Sequence, residues 1–374
     1  MVKVLFLSRS HAGDRSAYSH RIHQLKHGIE KLGIRTGILY FGEKELTSHT
    51  MLPLYVPQVS RILREYDFIH AGGTPCAFVA SVCKAFHRKK IIYDVHGDQI
   101  GEILQEKADL GSQRSLGSFP VPKAFIQESI ATYLSDYYFV VSEPLKRLFI
   151  RRGIKSEAIA VIRNGVDLDL FRKIPVHRRE NGRTRLFTYA GKFQPYQAVD
   201  DFIDAAVEIR KSRPDYLFQI IGFSQEDAPR KAEIARRSGG AVRLIDSKPQ
   251  IELNRILNES DVLVIPRRAS RVTTIAFPTK FAEYVAMEKP VLVSSVDESA
   301  NFTETHRCGI VYGEGAKAMQ KGILRIGRLS DAELRSMGRR GRFMAERHFE
   351  WSRICRTYVD FLRKGWSRDI RHFM

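Results

Sequence analysis

An α/β architecture with doubly wound parallel sheets is what this sequence predicts, on three observations. The chain has 374 residues, which at about 150 per domain suggests two domains, each long enough for its own core. Hydrophobic residues make up 43% and charged residues 28%, an ordinary globular mixture that argues against disorder and fibrous repeats. Short strands rich in Val, Ile, Phe and Tyr, without polar alternation, are followed by longer helical stretches along the whole chain. Strands of that kind are buried on both faces of a parallel sheet, and strand–helix alternation builds a doubly wound fold.

The first series of predicted strands is Lys3–Leu7, Thr36–Tyr40, Phe68–Ala71, Lys90–Val95, Tyr137–Val141 and Ile159–Ile162, with a helix over Ala17–Leu32. The stretch Pro175–Thr184 is polar, carries Pro and Gly, and reads as an interdomain linker. A second series follows: Leu186–Ala190, Leu217–Ile221, Val242–Ile245, Asp261–Ile265, Val291–Val293 and Gly309–Tyr312. Helices are expected over Val199–Ser212, Ile251–Glu259 and Phe281–Met287, and the basic tail Trp351–Met374 reads as helical. The expected domains are 1–178 and 184–351. Two such domains in tandem leave a cleft, faced by the carboxyl ends of their strands, where ligands of these sheets bind.

Lys and Arg number 61 against 42 Asp and Glu, a formal charge of +19. That surplus favours anionic partners: nucleic acid, acidic lipid headgroups or phosphorylated substrates. No helix-turn-helix, zinc or RNA-binding signature supports nucleic acid. Basic helices such as Glu143–Arg152 suggest peripheral attachment to an anionic inner leaflet. The four cysteines form no Cys-x-x-Cys pair and no disulfide framework, which fits a reducing cytosol. The apolar N-terminal stretch is too short for a signal peptide, and no run reaches the ~18 apolar residues of a spanning helix.

Five segments could carry chemistry. After the first strand, the loop with Gly13 leads into a helix, a natural anion site because free N–H groups point outward there, though an ordinary turn reads the same way. His96 ends the strand before Gly97, beside Asp94 and Asp98, where an imidazole can donate to a sugar or phosphate or move a proton. Asp167 and Asp169 share metal-ligand spacing, but Asn164-Gly165 signals a turn, which we favour over a metal site. Gly191 and Lys192 open the second domain between a strand and a helix, and would cradle a pyrophosphate. The stretch from Ile265 to Met287 is the most informative. Arg267, Arg268 and Arg271 occupy a loop after a strand. Pro278 stands at an expected first helical position, and Thr279, Lys280 and Glu283 follow. Lys280 and Glu283 lie one turn apart, so they share a helix face. A carboxylate there can accept both hydroxyls of a ribose, and the N–H groups before it suit a diphosphate.

The chain resembles the retaining, nucleotide-sugar-dependent glycosyltransferases of family 4, which have the GT-B fold of two Rossmann-like domains. The resemblance covers nearly the whole length. It rests on Asp94-Val-His-Gly97, Val141-Ser-Glu143, Arg163-Asn-Gly-Val-Asp-x-x-x-Phe171, Ala190-Gly-Lys-x-x-Pro-Tyr196, Ser260-Asp-Val-Leu-Val-Ile-Pro266 and the run from Pro278 to Val291. Phe349-Glu-Trp351 fits the family's crossover of a last helix, here 352–374, onto the first domain. The resemblance implies that Gly13 lies near the donor phosphate and His96 near the transferred sugar. It implies that Lys192 sits on the pyrophosphate and that Glu283 holds the ribose hydroxyls. Thr279 and Lys280 belong to the same donor set. It implies a nucleoside-diphosphate sugar as donor, a glycan or lipid-linked acceptor, and no metal or other cofactor.

Two positions depart from the family's common pattern. A lysine and glycine expected five and six residues after Lys192 are Gln197 and Ala198, and a glutamate expected eight residues before Glu283 is Ile275. A hydrogen bond to a charged group contributes ~1.5–3 kcal/mol, so the lost lysine would lower donor affinity roughly 10- to 150-fold without compensation. Arg267, Arg268 or Arg271 is the expected substitute. The rival readings are a noncatalytic relative acting as a binding partner and a nucleotide-sugar epimerase of the same fold.

Overall fold

The structure, a computed structural model, describes residues 2–9, 17–40, 59–98, 100, 101, 103, 120–176 and 184–371. Gly13 and residues 177–183 of the expected linker lie outside the described residues. The chain divides into two compact units, Met1–Gly165 with Trp351–Met374, and Val166–Glu350.

The first unit is built on a parallel sheet of β1 (Lys3–Ser8), β2 (Arg35–Tyr40), β3 (Phe68–Gly72), β4 (Lys90–Val95), β5 (Tyr137–Val140) and β6 (Ile159–Val161), in the order β2-β1-β3-β4-β5-β6. Its described helices include α1 (Ala17–Glu30), α2 (Gly73–Val82), α3 (Pro120–Leu134) and α4 (Glu143–Arg151). The second unit holds β7 (Arg185–Ala190), β8 (Tyr216–Phe223), β9 (Val242–Asp246), β10 (Val262–Ile265), β11 (Val291–Ser294) and β12 (Gly309–Tyr312), in the order β12-β11-β10-β7-β8-β9. Its helices are α5 (Val199–Ser212), α6 (Ala228–Ser238), α7 (Gln250–Asn258), α8 (Thr279–Ala286), α9 (Glu298–His306), α10 (Ala316–Gly327) and α11 (Asp331–His348). The last helix, α12 (Trp351–Arg371), belongs to the first unit. All twelve expected strands form. Every described pairing between them is parallel.

Both sheets are buried on both faces, which is why their strands read as continuous apolar runs. In the second sheet one face carries a core with Phe187, Phe202, Ile220 and Ile323. The other carries Ile265, Phe281, Val285 and Met344. In the first unit, Val4, Phe6, Leu25 and Phe139 share a core with Cys355, Tyr358 and Leu362 of α12. The close approach of α1 and α12 depends on Gly28, where an added Cβ would overlap the Cys355 sulfur. The four cysteines are free and buried.

The second sheet's order places its topological switch point between β7 and β10. Strand order reverses there, and ligands of doubly wound sheets bind outside the carboxyl ends at that point. The segment after Gly165 is stapled to the second unit ahead of the polar stretch. Arg342 donates to the carbonyls of Leu168 and Phe171, Asn254 to that of Leu170, and Asn258 to that of Arg172. Asp167 Oδ1 accepts from the backbone N–H groups of Asp169 and Leu170, both at 3.0 Å, so Asp167 closes a turn.

Candidate functional site

The residues singled out in the second unit converge on the switch point. β7 ends at Ala190, and Gly191 follows with φ +148°, a backbone state that side chains rarely adopt. A Cβ at Gly191 would overlap Lys280 Nζ. The missing side chain thus makes room for that amine over the strand's end. Lys280 Nζ donates to Tyr189 Oη at 3.1 Å and lies 4.3 Å from the Tyr189 ring centroid. The Tyr189 hydroxyl in turn donates to the Lys192 carbonyl. From the next turn of α8, Tyr284 Oη accepts from Ala190 N–H at 3.2 Å. Two tyrosines therefore fix the start of α8 against the end of β7.

Glu283 and Lys280 share the face expected of them. Burial pushes the Lys280 amine down to about 7, the Arg267 charge adds to that, and Glu283 opposes it. Burial also pushes the Glu283 carboxyl up to about 7 against the pull of Lys280. Both groups pay desolvation that neither returns in full, and perturbation of this kind concentrates at functional sites. No hydrogen bond to the Glu283 carboxylate is made among the described residues. α8 begins at Thr279, with Pro278 as its N-cap and no side-chain cap bond. Pro278 therefore sits one place earlier than the sequence suggested. Helix-start N–H groups without a side-chain partner suit an anion.

The loop arginines are not equivalent. Arg267 is buried and donates from Nη1 to Asp297 Oδ2 at 2.8 Å, yet its charge reaches Lys280. Among the described residues its Nε has no hydrogen-bond partner. Arg268 is held by both carboxylate oxygens of Asp201, at 2.7 and 3.3 Å. Arg271 is exposed. Lys192 is exposed too. Ser224 hydrogen bonds chiefly hold the nearby Asp227 carboxyl below its usual range, with a further pull from Lys192. Ile275, at the position of the family's common glutamate, is buried. Ala198 keeps the left-handed backbone (φ 48°, ψ 35°) that glycine would take more easily.

In the first unit, His96 follows β4 directly and is partly exposed. Its Nε2 lies 3.1 Å from Asp94 Oδ2. Asp94 is fully buried and also takes two hydrogen bonds from Arg21, at 2.8 and 3.0 Å. His70 Nε2 stands 3.4 Å from it, and Tyr358 Oη is 3.2 Å from His70 Nδ1. Burial alone would raise the Asp94 carboxyl. The Arg21 charge, His96 and the histidine hydrogen bonds outweigh burial and hold it well below the usual carboxylate range. Arg21 further donates to the Ile162 and Arg163 carbonyls, both at 2.9 Å. Sequence reasoning missed Arg21 and His70. The signal for Arg21 was its place beside Ile22, Leu25 and Ile29 on the buried stripe of α1. Among the described residues, no group of three or more His, Cys, Asp or Glu could hold a metal.

This arrangement defines a protein of two doubly wound sheets, with Lys280 and a helix start without a side-chain cap at the second sheet's switch point. Comparison with known proteins agrees. Residues 10–170 match the model of glycosyltransferase family 4, and residues 184–328 that of glycosyl transferases group 1. The chain is a glycosyltransferase of the GT-B type, similar to family 4 over its first half and to group 1 over its second. It is 25% identical over 190 residues to the amylovoran biosynthesis glycosyltransferase AmsK of Erwinia amylovora, a match covering 49% of this chain and 46% of that protein. The chain thus spans less than half the length of the curated relative it matches. Among solved structures, the sucrose-phosphate synthase of Thermosynechococcus elongatus superposes with a TM-score of 0.74 at 16% identity, covering 98% of this chain and all of that one. Anabaena Alr3699/HepE in complex with UDP and glucose superposes with a TM-score of 0.69 at 16% identity, covering 97% and 100%. At such identities the likeness is one of fold.

Proposed function

We propose that this chain transfers a sugar from a nucleoside-diphosphate sugar to a glycan or lipid-linked acceptor, with retention at the anomeric carbon. The observation that carries the reading is the convergence of Gly191, Lys280, Glu283 and the uncapped start of α8 on one switch point. The donor's diphosphate would lie against the helix N–H groups, Lys280 and Lys192, with Arg267 adding charge from behind. This supplies positive charge where the leaving diphosphate gains negative charge, and no metal is invoked. An ionised Glu283 would accept the ribose hydroxyls. The neighbour HepE is in complex with UDP and glucose, which supports this donor class.

On the acceptor side, His96 would touch the transferred sugar. Asp94 positions that imidazole through the 3.1 Å contact. Gly13 would border the donor phosphate. Of the three loop arginines, Arg267 would substitute for the lysine replaced by Gln197, its Nε being without a hydrogen-bond partner among the described residues. With a net charge of +19, a lipid-linked acceptor would be met at an anionic cytoplasmic membrane face. The test is incubation with UDP-, GDP- and ADP-sugars and NMR of the product. Release of one nucleoside diphosphate with a sugar product of the donor's anomeric configuration is expected. An inverted product, or turnover that only epimerises the donor, would overturn the reading.

A further inference from the structure

α3 is turned inside out. Its buried residues include Gln127, Glu128 and Thr132. Its exposed ones are Phe125 at 59%, Ile126 at 57%, Tyr133 at 64% and Leu134 at 46%. Glu128, the helix's one acid, is taken up by Arg152 at 2.7 Å, so no carboxylate lies on the outer face. A helix apolar on the outside calls for a covering partner. Beside its C-terminal end lies the Lys84–Lys90 segment. Lys84 Nζ donates to the Leu134 carbonyl at 2.7 Å, and Phe86, two residues on, is 56% exposed. Arg64 donates to the Phe86 carbonyl at 3.0 and 3.2 Å. From Lys84 to Lys90 the sequence is Lys-Ala-Phe-His-Arg-Lys-Lys; Asp136 pairs with Lys84 at 2.8 Å and with Lys90 at 3.6 Å, while Arg88 is exposed and Lys89 partly so. No helix among the described residues is long and apolar enough to cross a membrane.

We propose that the outer face of α3 and the Lys84–Lys90 segment form the patch by which this chain lies on an anionic lipid bilayer. Aromatic and aliphatic side chains enter the headgroup boundary, and the cations beside them meet acidic lipid, as in interfacial helices. Charge complementarity selects this occupant. A partner binding through apolar contact alone would not need exposed cations such as Arg88 beside the apolar face. The proposal deepens the acceptor reading above and rests on it for its purpose, while vesicle binding and nucleotide binding are measured separately, so either can fail alone.

The test is co-sedimentation of the full chain with phosphatidylcholine vesicles, with and without phosphatidylglycerol. The parent should bind the anionic vesicles only. Phe125→Ser/Ile126→Ser should weaken that binding at least about tenfold, since two large apolar groups leave the interface. Arg88→Glu/Lys89→Glu should weaken it by at least roughly fivefold per residue. The control Arg236→Glu/Arg243→Glu, an equal charge change at exposed sites of the second unit, should bind nearly as the parent does. Circular dichroism and nucleoside-diphosphate binding should stay unchanged in all variants, which shows that they fold. Patch variants that bind vesicles like the parent, or a control that loses binding equally, would overturn the proposal. So would a parent that ignores anionic vesicles and instead forms a dimer that the patch variants break.

Discussion

Lys280 and Glu283 are held at a cost to the free protein. The linkage follows from their directions of shift. A carboxyl raised from its usual value to about 7 favours folding at low pH, and that contribution is lost as pH rises toward 7. An amine lowered to about 7 favours folding at high pH, and that contribution is lost as pH falls toward 7. Near neutral pH both work against the fold. Lys280→Met should therefore raise the melting temperature at pH 7 while lowering nucleoside-diphosphate affinity at least tenfold; calorimetry checks both. Glu283→Gln should flatten the fall in stability between about pH 4.5 and 7. Asp94 is the opposite case. Asp94→Asn would leave Arg21 buried without its charge partner, at an expected cost of about 3–5 kcal/mol in denaturant unfolding. Of these residues, the Lys280–Glu283 pair was legible from helical spacing. The ion pairs of Arg267 and Arg268 were not, because Asp297 and Asp201 lie 30 and 67 residues away in the chain.

Among the elements, strands were the most legible. Runs such as Val4 to Leu7 or Val262 to Ile265 are buried on both faces, and nothing polar interrupts them. Boundaries moved by a residue or two. α8 starts at Thr279 because Pro278, lacking an N–H, serves as its cap. The inversion of α3 was not legible. Its apolar residues stand on both sides of the helix, so periodicity could not say which side faces the sheet. α12 read as helical and basic, and the structure adds what it covers: Ile354, Tyr358, Val359 and Leu362 complete the first unit's core. Deleting residues 351–374 should expose that core and leave the first unit unable to fold cooperatively. Urea unfolding would then lose one transition while that of the second unit persists.

For the whole molecule, the alternation of strand and helix implied two doubly wound sheets, and the sheet orders supply what alternation cannot. Only the order β12-β11-β10-β7-β8-β9 shows why Gly191, Lys192 and the Arg267 loop belong to one place: β7 and β10 are neighbours across the reversal. Lys280 joins them because Gly191 leaves it room. The most direct measurement is calorimetric titration of the full chain with UDP, GDP and ADP. One of the three should bind, and Glu283→Gln and Lys280→Met should each weaken it at least tenfold. Failure of all three to bind, or equal binding by both variants, would contradict a donor site at this switch point.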